Sequence, residues 1–179
     1  MSQKIVITGG PGSGKTTLIN ELIRRDYTCI PEISRQVTLE AREKGIEYLF
    51  LEDPLLFSKL LLEGREKQYL EAKKLDTNTV FFDRGLPDIH AYMNYYNTEY
   101  PEIYLKKSKE YIYNNIFLLP PWKAIYSTDN ERHESYALAI DLYHHLKNAY
   151  TDLGYTTIEV PIGNIKDRVD FILKKLTII

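Results

Sequence analysis

Residues 7 to 18, "ITGGPGSGKTTL", leave little freedom in how this chain folds. Ile5, Val6 and Ile7 form a short apolar run before the glycines, and Leu18, Ile19, Leu22 and Ile23 recur at helical spacing after them. The stretch therefore reads strand, loop, helix. Gly9, Gly14, Lys15 and Thr16 fit the pattern G-x-x-x-x-G-K-[ST], which requires that order of elements. Glycines let successive backbone N–H groups converge on phosphate oxygens at the positive end of the following helix. The expected nucleotide-binding residues are Gly9, Gly10, Pro11, Gly12, Ser13, Gly14, Lys15, Thr16 and Thr17. Lys15 adds a full charge near the β and γ phosphates, and the Thr16 hydroxyl is the expected ligand of the Mg²⁺ that accompanies the nucleotide.

Four further apolar runs follow: 27–30, 79–82, 116–119 and 156–160. Longer helical or polar segments separate them, and no repeat, low-complexity tract or linker-like stretch divides the chain. That alternation predicts one α/β domain over 1–179, with five parallel strands covered by helices on both faces and ligands beyond the carboxyl ends of the strands. Asp53 and Pro54 make a helix cap and first turn for a helix expected to run to Leu75. Tyr136, Ile140, Tyr143, Leu146, Tyr150 and Leu153 form a helical stripe that Gly154 is placed to end. A last helix is expected over Ile165 to Leu176.

Composition narrows the partners. With 179 residues, 44% hydrophobic and 27% charged, the chain suits one folded domain, and its net charge of −2 gives no bulk attraction to nucleic acid. Cys29 is the only cysteine, which excludes an internal disulfide and a cysteine-based zinc site. His144 and His145 lack a third ligand at suitable spacing. No apolar stretch approaches the ~20 residues of a membrane span, and the phosphate motif begins too near Met1 for a signal peptide, so the expectation is a cytoplasmic protein.

The residues just past each apolar run carry the chemistry. Asp83 ends "VFFD" as a strand carboxylate that holds Mg²⁺, or alternatively caps a helix. Arg84 follows it where hydrolytic machines commonly place a water-activating glutamate, which favours transfer to an acceptor other than water. Glu32 is placed to receive the proton of an attacking hydroxyl or to bind the acceptor. Arg35, one turn later, faces the same cleft, pairs with Glu32, or does both. Asp88 is an acceptor-side candidate or a capping residue. Residues 120–135 read as a lid in which Arg132 closes over the phosphates, or as a charged surface loop.

The series "GGPGSGKTT", "PEISR", "FFDRGLPD", "LLPPW", "TDNERHES" and "LGYTTIEVP" closely resembles the AAA-type P-loop family that groups with the ribosylnicotinamide kinase domain of NadR, over nearly the whole chain. The resemblance implies a compact nucleoside or nucleotide kinase fold with strand order 2-3-1-4-5, a lid after the fourth strand, and ATP or GTP as donor. By motif, Lys15 and Thr16 match the phosphate loop, Glu32 and Arg35 the E-x-x-R after the second strand, Asp83 the strand-three aspartate, and Pro121, Trp122 and Arg132 the lid. The chain departs from the NadR kinase domain at Arg84 and Gly85.

Two functions follow as expectations. The first is Mg-dependent transfer of the γ-phosphate to a small hydroxylated acceptor, with Lys15, Glu32, Asp83 and Arg132 as catalytic residues and Glu32, Arg35, Arg84 and Asp88 as acceptor-side residues. The second is a nucleotide-dependent switch or slow NTPase. No N-K-x-D motif is present and Leu86, not glycine, stands three residues after Asp83, so a Ras-like GTPase is disfavoured. Oligomeric state stays open.

Overall fold

A computed structural model describes residues 2–126 and 136–177. Its centre is the strand that precedes the glycine loop. β1 (Gln3–Gly9) is flanked by β3 (Thr79–Asp83) and β4 (Asn115–Leu119), with β2 (Thr28–Ile30) and β5 (Thr157–Glu159) at the edges. All four pairings are parallel and the order is β2-β3-β1-β4-β5, the order the family resemblance implies.

Alternation along β1 divides the core between the two faces of the sheet. Ile5 and Ile7 join Phe81 and Phe117 against α1 (Lys15–Arg24) and α8 (Ile165–Lys175), which supply Leu18, Leu22, Val169 and Ile172. Val6, Val80, Phe82 and Ile116 face the other side. There they meet α2 (Ser34–Glu43), the one-turn α3 (Leu49–Glu52), α4 (Pro54–Ala72), α5 (Pro87–Tyr95) and α6 (Ile103–Glu110). α7 (Tyr136–Thr151) packs on α5, with Leu118 of β4 beneath it. The layers are helix, sheet, helix. Among the described residues no helix is long and apolar enough to cross a membrane.

α4 begins where the sequence places it. Asp53 accepts a hydrogen bond from Leu56 N at 2.9 Å and Pro54 takes the first helical position, where its missing N–H costs nothing. Replacing Asp53 by alanine is expected to cost ~1 kcal/mol of stability, read as a lower urea midpoint at unchanged slope.

One stripe needs correction. α7 does not bury Ile140, which is 40% exposed. Its buried arc runs through Ala139, Leu142, Tyr143, Leu146, Ala149 and Tyr150, the i, i+3, i+4, i+7 rows that face α5 and the sheet. Ala139 and Ala149 lie outside the expected stripe because an alanine carries little hydrophobic signal, yet a small side chain is what close approach to α5 requires.

Candidate functional site

The loop between β1 and α1 is shaped by two glycines in the left-handed region, Gly12 at φ 69° and Gly14 at φ 77°. A β-carbon on Gly12 would stand 2.2 Å from Tyr126 Cδ2, and one on Gly14 would stand 2.8 Å from Arg168 Nη1. Both neighbours come from segments distant in sequence. Trp122 N donates to Gly12 O at 3.3 Å, so the segment after β4 is laid directly on the loop.

A cleft of about 1240 Å³ opens at this end of the sheet. It brings together Gly10 to Thr17 with Glu32 and Arg35 after β2, and with Asp83 and Arg84 at the end of β3. Gly9 is buried at the end of β1. A second cavity of about 230 Å³ adjoins the first and shares Glu32, Ser34, Arg84, Phe50 and Tyr96 with it. Asp88 lines only this second space. Arg132 lies outside the described residues.

At the phosphate-loop end, Lys15 pairs with Asp83, each side chain only 10% exposed. Burial, with Arg84 close by, draws the Lys15 ammonium below its usual range. Thr16 reaches the surface of the same cleft. One hydroxyl and one carboxylate are hard oxygen donors, a set that suits Mg²⁺ carried by a nucleotide, since that ion keeps waters and phosphate oxygens for its other positions.

Next to this pair is a four-membered charge cluster. Glu32 Oε1 meets Arg65 Nη2 at 3.0 Å, and Glu32 Oε2 meets Arg84 Nε at 2.6 Å. Arg65 Nη1 also donates to Gly85 O at 2.7 Å. Arg84 Nη1 lies 3.4 Å from Asp88 Oδ1, and its guanidinium covers the Tyr92 ring at 5.1 Å. Asp88 in turn accepts from Gly85 N at 2.9 Å, Tyr150 OH at 2.5 Å and the Thr8 hydroxyl. Desolvation alone would raise the Glu32 carboxyl, but Arg65, Arg84 and Lys15 outweigh it and hold the group at about 2. For Arg84, burial opposes the charge and is more than offset by Tyr92, Glu32 and Asp88.

Arg84 is also unusual in its backbone. Its φ of 75° places a bulky residue in the left-handed region, a conformation that persists only when surroundings over-determine it. Its N–H donates to Ile7 O at 3.1 Å, which prolongs the β1–β3 ladder by one bond and turns the side chain's origin away from the strand direction.

These contacts revise the expected partnership at Glu32. Its partners are Arg84 and a residue the sequence reading did not select, Arg65, rather than Arg35, which lines the main cleft. Arg65 belongs to the buried face of α4 with Ser58, Leu61, Leu62, Tyr69 and Ala72. A charge on a mostly apolar helical stripe is the available signal. Arg168 carries the same signal on α8, among Val169, Ile172 and Leu173. Asp88 is fully buried with both oxygens engaged: it accepts from Gly85 N just ahead of α5, a capping bond, and also braces Arg84, so it presents no free oxygen.

The sequence model of a family described as an AAA domain matches residues 4–168. The chain belongs to that family. This AAA-domain protein shares its fold with solved P-loop kinase structures. Its fold is similar to that of deoxyadenosine kinase from M. mycoides with products dCMP and dCDP bound, at TM-score 0.72 and 18% identity, over 99% of this chain and 100% of that one. It is also similar to NadR protein in complex with NAD and AMP-PNP, at TM-score 0.68 and 16% identity, over 97% of this chain and 49% of that one. The AAA-domain chain thus spans about half the length of NadR. No curated protein sequence matches it. At these identities the likeness establishes the fold, a five-stranded P-loop kinase fold, and leaves the chemistry to be argued from the residues.

Proposed function

We propose that the protein transfers the γ-phosphate of Mg-ATP to a hydroxyl of a small, uncharged acceptor of the nucleoside class. The observation that carries this reading is the Glu32–Arg84 ion pair, which stands where the two cavities join, beside Lys15 and Asp83. The large cleft holds the donor. The smaller cavity, walled by Phe50, Phe57, Tyr92 and Tyr96, offers flat apolar surface to a ring, with Glu32, Arg65, Arg84 and Asp88 among its polar groups.

Charge favours a neutral acceptor. Arg65 and Arg84 are balanced by Glu32 and Asp88, so these groups leave no surplus positive charge for a second phosphate. The expected Arg35 and Asp88 fit supporting roles, Arg35 along the donor cleft and Asp88 as the brace that fixes Arg84.

In this mechanism the loop N–H groups and Lys15 hold the β and γ phosphates, while Thr16 and Asp83 supply the protein oxygens for the ion of Mg-ATP, which neutralises phosphate charge. Glu32 accepts a hydrogen bond from the acceptor hydroxyl, aligning its oxygen with the γ-phosphorus, and takes its proton as the new O–P bond forms and the bond to the β-phosphate oxygen breaks. Arg84 faces the moving phosphoryl group. Arg132 is the proposed closing arginine of a lid over 120–135.

The test is nucleoside diphosphate release from Mg-ATP and Mg-GTP with a panel of nucleosides, nicotinamide riboside, nucleoside monophosphates and sugars. A nucleoside is expected to stimulate release and to gain a phosphate, with monophosphates inactive. Tight nucleotide binding that no acceptor stimulates would overturn the proposal in favour of a switch.

A further inference from the structure

Arg168, in the first turn of α8, is only 2% exposed. Its Nε donates to Pro161 O at 3.1 Å, and its guanidinium lies over the Trp122 ring at 5.9 Å. Nη2 is buried with no hydrogen-bond partner among the described residues. Burial, with no compensating anion beside it among those residues, draws the group below the usual arginine range. An arginine cannot relieve this by losing its proton near neutral pH, so its charge calls for a counter-ion.

The other buried cations of the site are paired: Lys15 with Asp83, Arg65 with Glu32, Arg84 with Glu32 and Asp88. Arg168 occupies a position of α8 whose neighbours Val169, Ile172 and Leu173 are all apolar and buried, and a hydrocarbon there would avoid the desolvation cost. The guanidinium also touches the nucleotide cleft. Nη1 abuts Gly14, leaving no space for a β-carbon there, and Arg168 lines the cleft beside the loop. Gly14 and Lys15 begin α1, whose free N–H groups would favour a bound anion.

We propose that Arg168 is a donor-binding residue whose counter-ion is the polyphosphate of the nucleotide, so that α8 contributes a further cation beside the phosphate loop. This rests on the donor reading of the cleft. It assigns a role to a residue outside the loop motif, and the stack on Trp122 orients the planar fork while leaving Nη2 for the ligand.

The experiment is equilibrium binding of Mg-ATP and of Mg-tripolyphosphate, which has the anion but neither sugar nor base, to wild type, Arg168→Met and Lys15→Ala. Arg168→Met is expected to weaken both ligands about 10- to 100-fold, the loss of one charge-assisted contact, and to melt no earlier than wild type without ligand. Unchanged affinity for both ligands in Arg168→Met, with Lys15→Ala abolishing binding, would overturn this inference and leave the donor reading standing. Loss for ATP alone would place Arg168 on the nucleoside part and overturn it as well. If wild type binds neither ligand, the donor reading falls and this inference with it. Should Arg168→Met not fold, Arg168→Gln is read in the same way.

Discussion

Lys15→Ala should abolish the stabilisation of the protein by ATP. At a hundredfold excess over its Kd, a ligand that binds only the folded state adds about 2.7 kcal/mol, a shift of several degrees in melting temperature for a chain of this size. The variant loses the cation that the β and γ phosphates require and should show no such shift. Phosphotransfer should fall by at least ~10²–10³, the cost of deleting one charged group aimed at a transferring phosphoryl. The unliganded fold is affected separately: removing Lys15 leaves the buried Asp83 carboxylate without its cation, which is expected to cost about 3 kcal/mol. Differential scanning fluorimetry with and without Mg-ATP separates the two effects. A variant that keeps the ATP shift would show that the loop is not where the triphosphate sits.

The contrast between Lys15 and Arg65 shows what kind of information a single sequence carries. The loop, its strand and its helix are local: glycine positions, a continuous apolar run and a stripe of period 3.6 all lie within residues 3–24, and each is legible without knowing what surrounds it. The five strands are likewise bounded runs, and every one is found within two residues of its expected limits. The charge cluster is not local. Glu32 meets Arg65 across 33 positions, and Tyr150 reaches Asp88 across 62. That a carboxylate bonding the N–H ahead of its own helix also braces an arginine and meets a hydroxyl from elsewhere depends on which helix lies above it, and α7 supplies Tyr150 to Asp88. Arg84 and Asp83 were legible because they sit at a strand end, where a parallel sheet directs its ligands. Arg65 and Arg168 sit inside helices, where position along the chain says nothing about the cleft, and only their place on an apolar stripe sets them apart.

Glu32→Gln should separate stability from chemistry at the second half of the site. The substitution keeps the shape of the side chain and removes the charge shared by Arg65 and Arg84, which are 5% and 15% exposed. Lowering a carboxyl from 4.5 to about 2 corresponds to about 3 kcal/mol, and breaking a buried pair from one side costs a similar amount, so a loss of ~3 kcal/mol is expected near pH 7. Its sign with pH is set by the depressed value. The wild-type contribution is complete above the unfolded value of 4.5 and is lost as pH falls through about 2, so the gap between the two proteins should be constant above pH ~5 and close below it. Denaturant titrations from pH 3 to pH 7 read this directly. Transfer to the acceptor should drop by ~10²-fold or more, while ATP binding at the Lys15 loop stays within a few fold. Because a carboxylate held at about 2 stays ionised throughout the range in which the protein is folded, the wild-type rate should show no acid limb near pH 4.5. Such a limb would mean that the proton acceptor is a carboxyl with an ordinary titration, and would remove Glu32 from that role. The depressed value also limits what Glu32 can do in the ground state: paired with two arginines it is a weak base, so in the proposed mechanism it would accept the proton only as the acceptor oxygen becomes acidic in forming its bond to phosphorus.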